Sequence, residues 1–266
     1  MPVEPLPPGT ELGAVAGQGA RYRVLGVMGQ GGFGITYRCE DLTLGTEVVV
    51  KELAVADLSI RDPQTGAVIA VGTQRNVDRL ERLLKRFIGE ARTLARIGQA
   101  TRSPHIVQVH GQWTERGTAF YAMSMIRAQQ SWPVREDDQP LAPSAQDRLR
   151  EHGLQLLDAL ALVHEAGVAF HRDLKPANVL IDEYDRVVLI DFGTVRNEEE
   201  LARTVRTVLH TPGWSAPELA RASDVQGAGP WSDLYSWAML VWGAVLRHPT
   251  SAYDEDADRE VPWPLD

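Results

Sequence analysis

Three strand-like runs crowd into the start of this chain: YRVLGVMG from Tyr22, GITYRCED from Gly34 and TEVVVKEL from Thr46, with turn residues between them. Residues 54–76 lack strong periodicity and carry RDPQTG, which predicts a surface excursion. Residues 78–97 read as an amphipathic helix, with Leu80, Leu83, Leu84, Phe87, Ala91 and Leu94 at helical spacing. HIVQVHGQW and TAFYAMSMI predict two further strands. A polar stretch bearing proline, 128–143, precedes a long helix expected over 144–166 that ends near Gly167. A mostly β part followed by a mostly helical part predicts an α+β fold in two lobes. The expected layout is a flexible lead-in over 1–20, a first lobe over 21–123, a connector over 124–130 and a second lobe over 131–266.

A chain of 266 residues, 44% of them hydrophobic, is long enough to give two lobes real cores. A net charge of −9 argues against a nucleic-acid partner, since phosphate backbones reward clustered Lys and Arg. The basic cluster between Arg79 and Arg86 is mixed with Leu and Glu and reads as a solvated helix face. Cys39 is the single cysteine, so no intrachain disulfide is possible and a reducing cytoplasm is the expected compartment. A lone cysteine in such a position is more often a small packed side chain than a redox centre. Residues 1–8 carry no signal-peptide pattern, and the apolar run 237–246 is too short to cross a bilayer. Anchoring through a region beyond Asp266 stays open.

The chemistry is concentrated in short segments. Gly29, Gln30, Gly31, Gly32, Phe33 and Gly34 fit G-x-G-x-x-G, a weak signal alone and as compatible with an ordinary hairpin turn. A dinucleotide fold needs a helix after those glycines; here a strand follows. Lys51 ends a run of valines, and a buried ammonium needs a partner. Glu90, flanked by Gly89 and Ala91 in the amphipathic helix, is the best candidate, close approach being possible beside such small neighbours. Lys51 snorkelling to solvent and Glu90 on a polar face is the competing picture. Asp173 can accept a hydroxyl proton, Lys175 can steady phosphoryl charge, and Asn178 and Asp191 offer hard oxygens to Mg²⁺. Each could singly be a turn, cap or loop residue. Together, HRDLKPAN and DFG hold the parts needed to move a phosphoryl group from ATP to a hydroxyl. His171 is read as structural, its ring beside Phe192 and bonded to backbone.

With GQGGFGITY, VVVKE, RFIGEARTLARI, HRDLKPANVLID, DFG, TPGWSAPE and SDLYSWA in this order, the chain resembles the eukaryotic-like (Hanks-type) serine/threonine protein kinases of bacteria. The resemblance runs from about Tyr22 to Leu246. It implies the two-lobed protein-kinase fold and transfer of the γ-phosphoryl group of ATP, with Mg²⁺ or alternatively Mn²⁺, to Ser/Thr of protein substrates, autophosphorylation included. It implies that Met123 is the gatekeeper, and that the Ser124 carbonyl and Ile126 N–H meet adenine. It implies that Thr211 touches Asp173 and lines the substrate groove, and that Asp233 holds the catalytic loop. Arg172 is expected to pair with a phosphate on the activation segment, with Thr204 and Thr207 as candidate phosphosites and Thr194 behind them.

Ser124, His210 and Ala238 depart from the family pattern, the first from an acidic hinge residue and the others from glycines. The chain stops at Asp266, where further helices of the second lobe are expected, and that leaves Glu218 expected without its usual arginine. The alternative function is a nucleotide-binding pseudokinase or scaffold with little phosphotransfer. A small-molecule kinase is disfavoured by TPGWSAPE, which shapes a peptide groove in protein kinases.

Overall fold

The structure, a computed structural model, describes residues 3–14, 21–135, 137, 139–166, 170–191, 211, 213–220, 227–246, 253–254 and 259–260. Phe192, Gly193, Thr194, Thr204, Thr207 and His210 lie outside the described residues, as do 15–20 and most of 247–266. Two compact units are present: residues 1–95 with 108–125, and residues 96–107 with 126–266.

The first unit is built on a six-stranded antiparallel sheet. Its strands are β1 (Glu11–Leu12), β2 (Tyr22–Gln30), β3 (Gly34–Asp41), β4 (Thr46–Leu53), β7 (Val109–Glu115) and β8 (Thr118–Ser124), in the order β1-β2-β3-β4-β8-β7. The alternation of buried positions along β3 and the valines of β4 put one face into a core with Val24, Ile35, Tyr37, Val48 and Val50. Helix α1 (Gln74–Thr101) is longer than the expected 78–97. It buries Leu80, Phe87, Ala91, Leu94 and Ile97, the stripe that its 3–4 spacing anticipates.

One sequence expectation fails in this unit and another is refined. Residues 3–14 are not a flexible lead-in: Val3, Leu6 and Leu12 are buried in the sheet's core, and Glu11–Leu12 pairs with β2. Proline and glycine there shape an extended path across the sheet without freeing it. Residues 54–76 do run over the surface, RDPQTG among them exposed or half-buried, but not without structure. They form a hairpin, β5 (Ser59–Arg61) with β6 (Val68–Ala70), that buries Leu58, Ser59 and Val68.

In the second unit, β9 (Ala128–Ser131), β10 (Val179–Asp182) and β11 (Val187–Leu189) form a small sheet in the order β11-β10-β9. The segment expected as connector, 124–130, thus ends β8 and begins β9. Helix α2 (Pro143–Glu165) packs on α4 (Pro230–Val245). Trp237 Nε1 donates to the Gly153 carbonyl at 2.9 Å, and Trp132 Nε1 to the Leu240 carbonyl at 2.8 Å. A single turn, α3 (Pro217–Ala220), and a pair of two-residue strands, β12 (Tyr253–Asp254) and β13 (Arg259–Glu260), complete the described elements. No helix among the described residues is long and apolar enough to cross a membrane.

Candidate active site

Lys51 and Glu90 meet in the first unit. Alternation along β4 sends Lys51 to the face that α1 covers, and the ammonium lies 3.7 Å from Glu90 Oε1. Glu90 belongs to the buried stripe of α1, 7% exposed, so the picture of a polar-face glutamate does not hold. Ala91 is buried beside it, whereas Gly89 faces open space and provides no close approach. Tyr121, directly opposite Lys51 in the β4–β8 ladder, donates its hydroxyl to the same Glu90 oxygen at 2.9 Å. Its ring packs tilted against Phe87, centroids 5.0 Å apart, and lies 5.9 Å from the ammonium. A cation and a phenol thus share one buried carboxylate, and burial strengthens both contacts.

The glycine segment forms the β2–β3 turn, closed by the Gly31 N–H on the Gly34 carbonyl at 2.9 Å. The fold itself demands only one of its glycines: a Cβ on Gly34 would stand 2.5 Å from the Glu52 carbonyl oxygen. A Cβ on Gly29, Gly31 or Gly32 would meet nothing within 4 Å. Phe33 is exposed, its carbonyl accepting from Ala54 N–H at 3.1 Å. The Gln30 amide donates to the Val3 carbonyl at 2.6 Å. Met123 is buried on β8 opposite Val49. Ser124 N–H donates to the Gln108 carbonyl at 2.9 Å, and its hydroxyl lies 3.0 Å from His110 Nε2. Ile126, the first residue of this segment in the second unit, accepts from Ala128 N–H through its carbonyl at 2.9 Å.

The second unit gathers the HRDLKPAN residues around one carboxylate. Lys175 Nζ donates to Asp173 Oδ2 at 2.7 Å, and Thr211 Oγ1 to Asp173 Oδ1 at 2.7 Å. The Asn178 amide donates to the Asp173 carbonyl at 2.7 Å and to Oδ2 at 3.2 Å. Those bonds occupy the nitrogen end of the amide. Among the described residues none donates to its Oδ1, the end a cation would use. Asn178 sits at the close of a 3₁₀ turn, Pro176–Asn178, and its carbonyl accepts at 2.9 Å from the N–H of Ile190, the residue before Asp191. No group of three or more His, Cys, Asp or Glu converges as metal ligands among the described residues. An asparagine with an aspartate is instead a set that leaves ligand positions for phosphate and water.

Asp233, on α4 and fully buried, anchors this loop. Its oxygens accept from His171 N–H at 2.7 Å and Arg172 N–H at 2.9 Å, and Oδ2 lies 2.8 Å from His164 Nε2. Arg172 and Asp191 have φ of 71° and 56°, left-handed backbone that costs a side-chain-bearing residue about 1–2 kcal/mol. The Asp233 bonds hold Arg172 in that state, and its guanidinium lies 4.2 Å from the Phe170 ring centroid. His171 is buried, and burial pushes its imidazole below the usual range against the pull of Asp233, Asp173 and Asp191. It therefore stays neutral and structural. Burial likewise pushes the Cys39 thiol up to about 12, so Cys39 is packing and not a nucleophile. Glu218, expected to lack a partner, accepts from Ser232 Oγ at 2.5 Å.

Tyr121, His164 and Ser215, whose hydroxyl accepts from Thr211 N–H at 2.8 Å, escape a reading of the sequence. Only the strand register or the loop's anchorage reveals them.

A family model described as the protein kinase domain matches residues 22–261. The DNA damage-responsive serine/threonine-protein kinase RqkA of Deinococcus radiodurans is 31% identical over 95% of this chain and 33% of its own length. The probable serine/threonine-protein kinase pknA2 of Bifidobacterium longum is 29% identical over 84% of this chain and 26% of its own. This chain thus spans about a third or less of these relatives' lengths. A solved structure titled PpkA-294 apo form superposes with a TM-score of 0.69 at 25% identity, covering 93% of this chain and 81% of that one. With the β-rich and helical units and the HRDLKPAN loop geometry described above, these matches establish that the chain belongs to the protein kinase domain family.

Proposed function

We propose that this chain is a serine/threonine protein kinase that transfers the γ-phosphoryl group of ATP to hydroxyls of protein substrates, with Mg²⁺ as the working ion and Mn²⁺ able to replace it. The observation that carries the reading is the state of Asp173. One oxygen is taken by Lys175 and the other by Thr211, so its carboxylate is held in one orientation, ready to aim a hydroxyl and accept its proton. Lys175 then lies beside the developing phosphoryl charge. Asn178 Oδ1 and Asp191 are the protein's ligands to the divalent ion, whose chemistry is to neutralise the phosphates and organise them for transfer.

Lys51, set by Glu90, takes the α- and β-phosphates, and Gly29, Gly31 and Gly32 leave the glycine turn without side chains that would obstruct them. Met123, the Ser124 carbonyl and the Ile126 N–H receive adenine. Arg172 meets the phosphate of the activation segment, with Thr204 and Thr207 as its sites. The cytoplasm, where ATP is abundant and a single free cysteine is at home, is the setting this reading assigns.

The test is transfer of label from γ-labelled Mg-ATP to the protein itself or to a generic Ser/Thr substrate. Wild type is expected to label and Asp173→Asn not to. Equal labelling by Asp173→Asn overturns the role given to Asp173, and nucleotide binding without any labelling overturns the kinase reading.

A further inference from the structure

The sheet face opposite Lys51 is covered. Alternation along β4 places Val48, Val50 and Glu52 there, and residues 3–12 run across them. A carboxylate lies within this apolar layer. Glu52 is 0% exposed, and its Oε2 accepts from the Tyr37 hydroxyl at 2.6 Å and the Arg61 guanidinium at 2.7 Å. Tyr37 Oη accepts in turn from Leu6 N–H at 3.0 Å. Arg61 also donates to the Glu4 carbonyl at 2.5 Å and the Gly66 carbonyl at 2.8 Å. One buried cluster therefore ties the N-terminal segment, the β5–β6 hairpin and β3 to the residue that follows Lys51.

Desolvating such a pair is costly, and an apolar trio of similar volume would hold the layer at least as firmly. What the polar cluster adds is a single register for the segment on the sheet. The segment is fixed again at Gly9 N–H to the Val24 carbonyl, 2.8 Å, and Val24 N–H to the Thr10 carbonyl, 2.9 Å. Its beginning meets the glycine turn, where the Val3 carbonyl takes the Gln30 amide at 2.6 Å. Gln30 is the last residue of β2, and its side chain is spent on this bond.

We propose that residues 3–12 are a brace for the nucleotide site: Glu52 locks the brace behind Lys51, and Gln30 hands its position to the glycine turn. This rests on the reading of that turn and of Lys51 as the ATP contacts. Gln30, Glu52 and Arg61 are positioning residues, acting on ATP through the turn and through β4.

The experiment titrates ATP against the full chain by calorimetry, for wild type, Gln30→Met, removal of residues 1–3, and the two combined, with KM and kcat measured alongside. Gln30 is exposed, so Gln30→Met is expected to fold, with its melting temperature lowered by no more than the loss of one hydrogen bond requires. Gln30→Met is expected to weaken ATP about 3- to 10-fold, as loss of one hydrogen bond does, and removal of residues 1–3, which also takes the buried Val3 from the core, at least as much. The combination is expected to be no weaker than the worse single, because both cut the same link. The loss is expected in KM and not in kcat. An unchanged Kd in Gln30→Met overturns the brace, and so does a combination whose losses multiply. If wild type binds ATP without transferring phosphate, the kinase reading falls while these affinities still judge the brace. If wild type binds no ATP, both fall.

Discussion

Thr211 Oγ1 and Lys175 Nζ each stand 2.7 Å from Asp173, on opposite oxygens of one carboxylate. Both bonds are charge-assisted, the lysine one with both partners ionised, and the threonine bond joins the TPGWSAPE segment to the HRDLKPAN loop. Asp173→Asn keeps the volume and removes the proton acceptor, so kcat is expected to fall about 10²- to 10⁴-fold, the range for a lost general base. Thr211→Val keeps the shape and frees one oxygen. Its kcat is expected to fall about 10-fold with the nucleotide Kd unchanged, one hydrogen bond's worth of orientation. Steady-state phosphorylation kinetics with parallel ATP titrations checks both, and a Thr211→Val enzyme as fast as wild type would remove Thr211 from the site.

Tyr121 offers a separate prediction in the first unit. Its hydroxyl donates at 2.9 Å to the Glu90 oxygen that Lys51 approaches at 3.7 Å. Tyr121→Phe keeps the ring on Phe87 and removes only that bond. Stability is expected to fall by about 1 kcal/mol and the KM for ATP to rise about 2- to 10-fold. Urea unfolding and ATP-dependence of the rate measure the two. A KM at the wild-type value would mean that Lys51 and Glu90 hold their geometry without the phenol.

The order of elements is legible because hydrophobic period and turn residues are local signals, as the stripe from Leu80 to Leu94 and the runs at Tyr22, Gly34 and Thr46 illustrate. Asp173, Lys175 and Asn178 share one loop, so their spacing alone groups them. Thr211 and Asp233 reach that loop from distant segments and are named only through family resemblance. Tyr121 cannot be tied to Glu90 until β4 and β8 are in register. The N-terminal segment is misread because Val3, Leu6 and Leu12 follow neither a helical nor a strand period; they bury along an extended crossing of a sheet formed later in the chain. Strands of three residues, like β5 and β6, are too short for periodicity to show. Glu52 looks like an ordinary strand glutamate until Arg61 and Tyr37 fold onto it.

That buried cluster predicts an asymmetry in stability. Arg61→Met leaves Glu52 buried with its charge uncompensated, and is expected to cost about 3–5 kcal/mol. Adding Glu52→Gln removes the charge and is expected to recover a large part of the loss, because a neutral amide can still meet the Tyr37 hydroxyl. Urea midpoints of the two singles and the double form the cycle. Strict additivity would mean that the two side chains do not interact.

His171 makes the last prediction, one of pH. Its ordinary imidazole value is 6.5, and burial lowers it in the folded protein, with Asp233, Asp173 and Asp191 facing it and pulling upward. Above pH 6.5 the ring is neutral in both folded and unfolded chains, so it contributes no pH dependence there. Below 6.5 the unfolded chain takes up a proton that the folded one resists. Stability is therefore lost as pH falls from 6.5 toward the lowered folded value, by at most about 1.4 kcal/mol per pH unit from this group. His171→Asn keeps an acceptor for Asp173 N–H, which His171 Nδ1 meets at 3.4 Å, and removes the titration. Urea midpoints between pH 7.5 and 5 are expected to fall more steeply for wild type than for His171→Asn. Parallel curves would show that the buried ring carries none of the acid sensitivity.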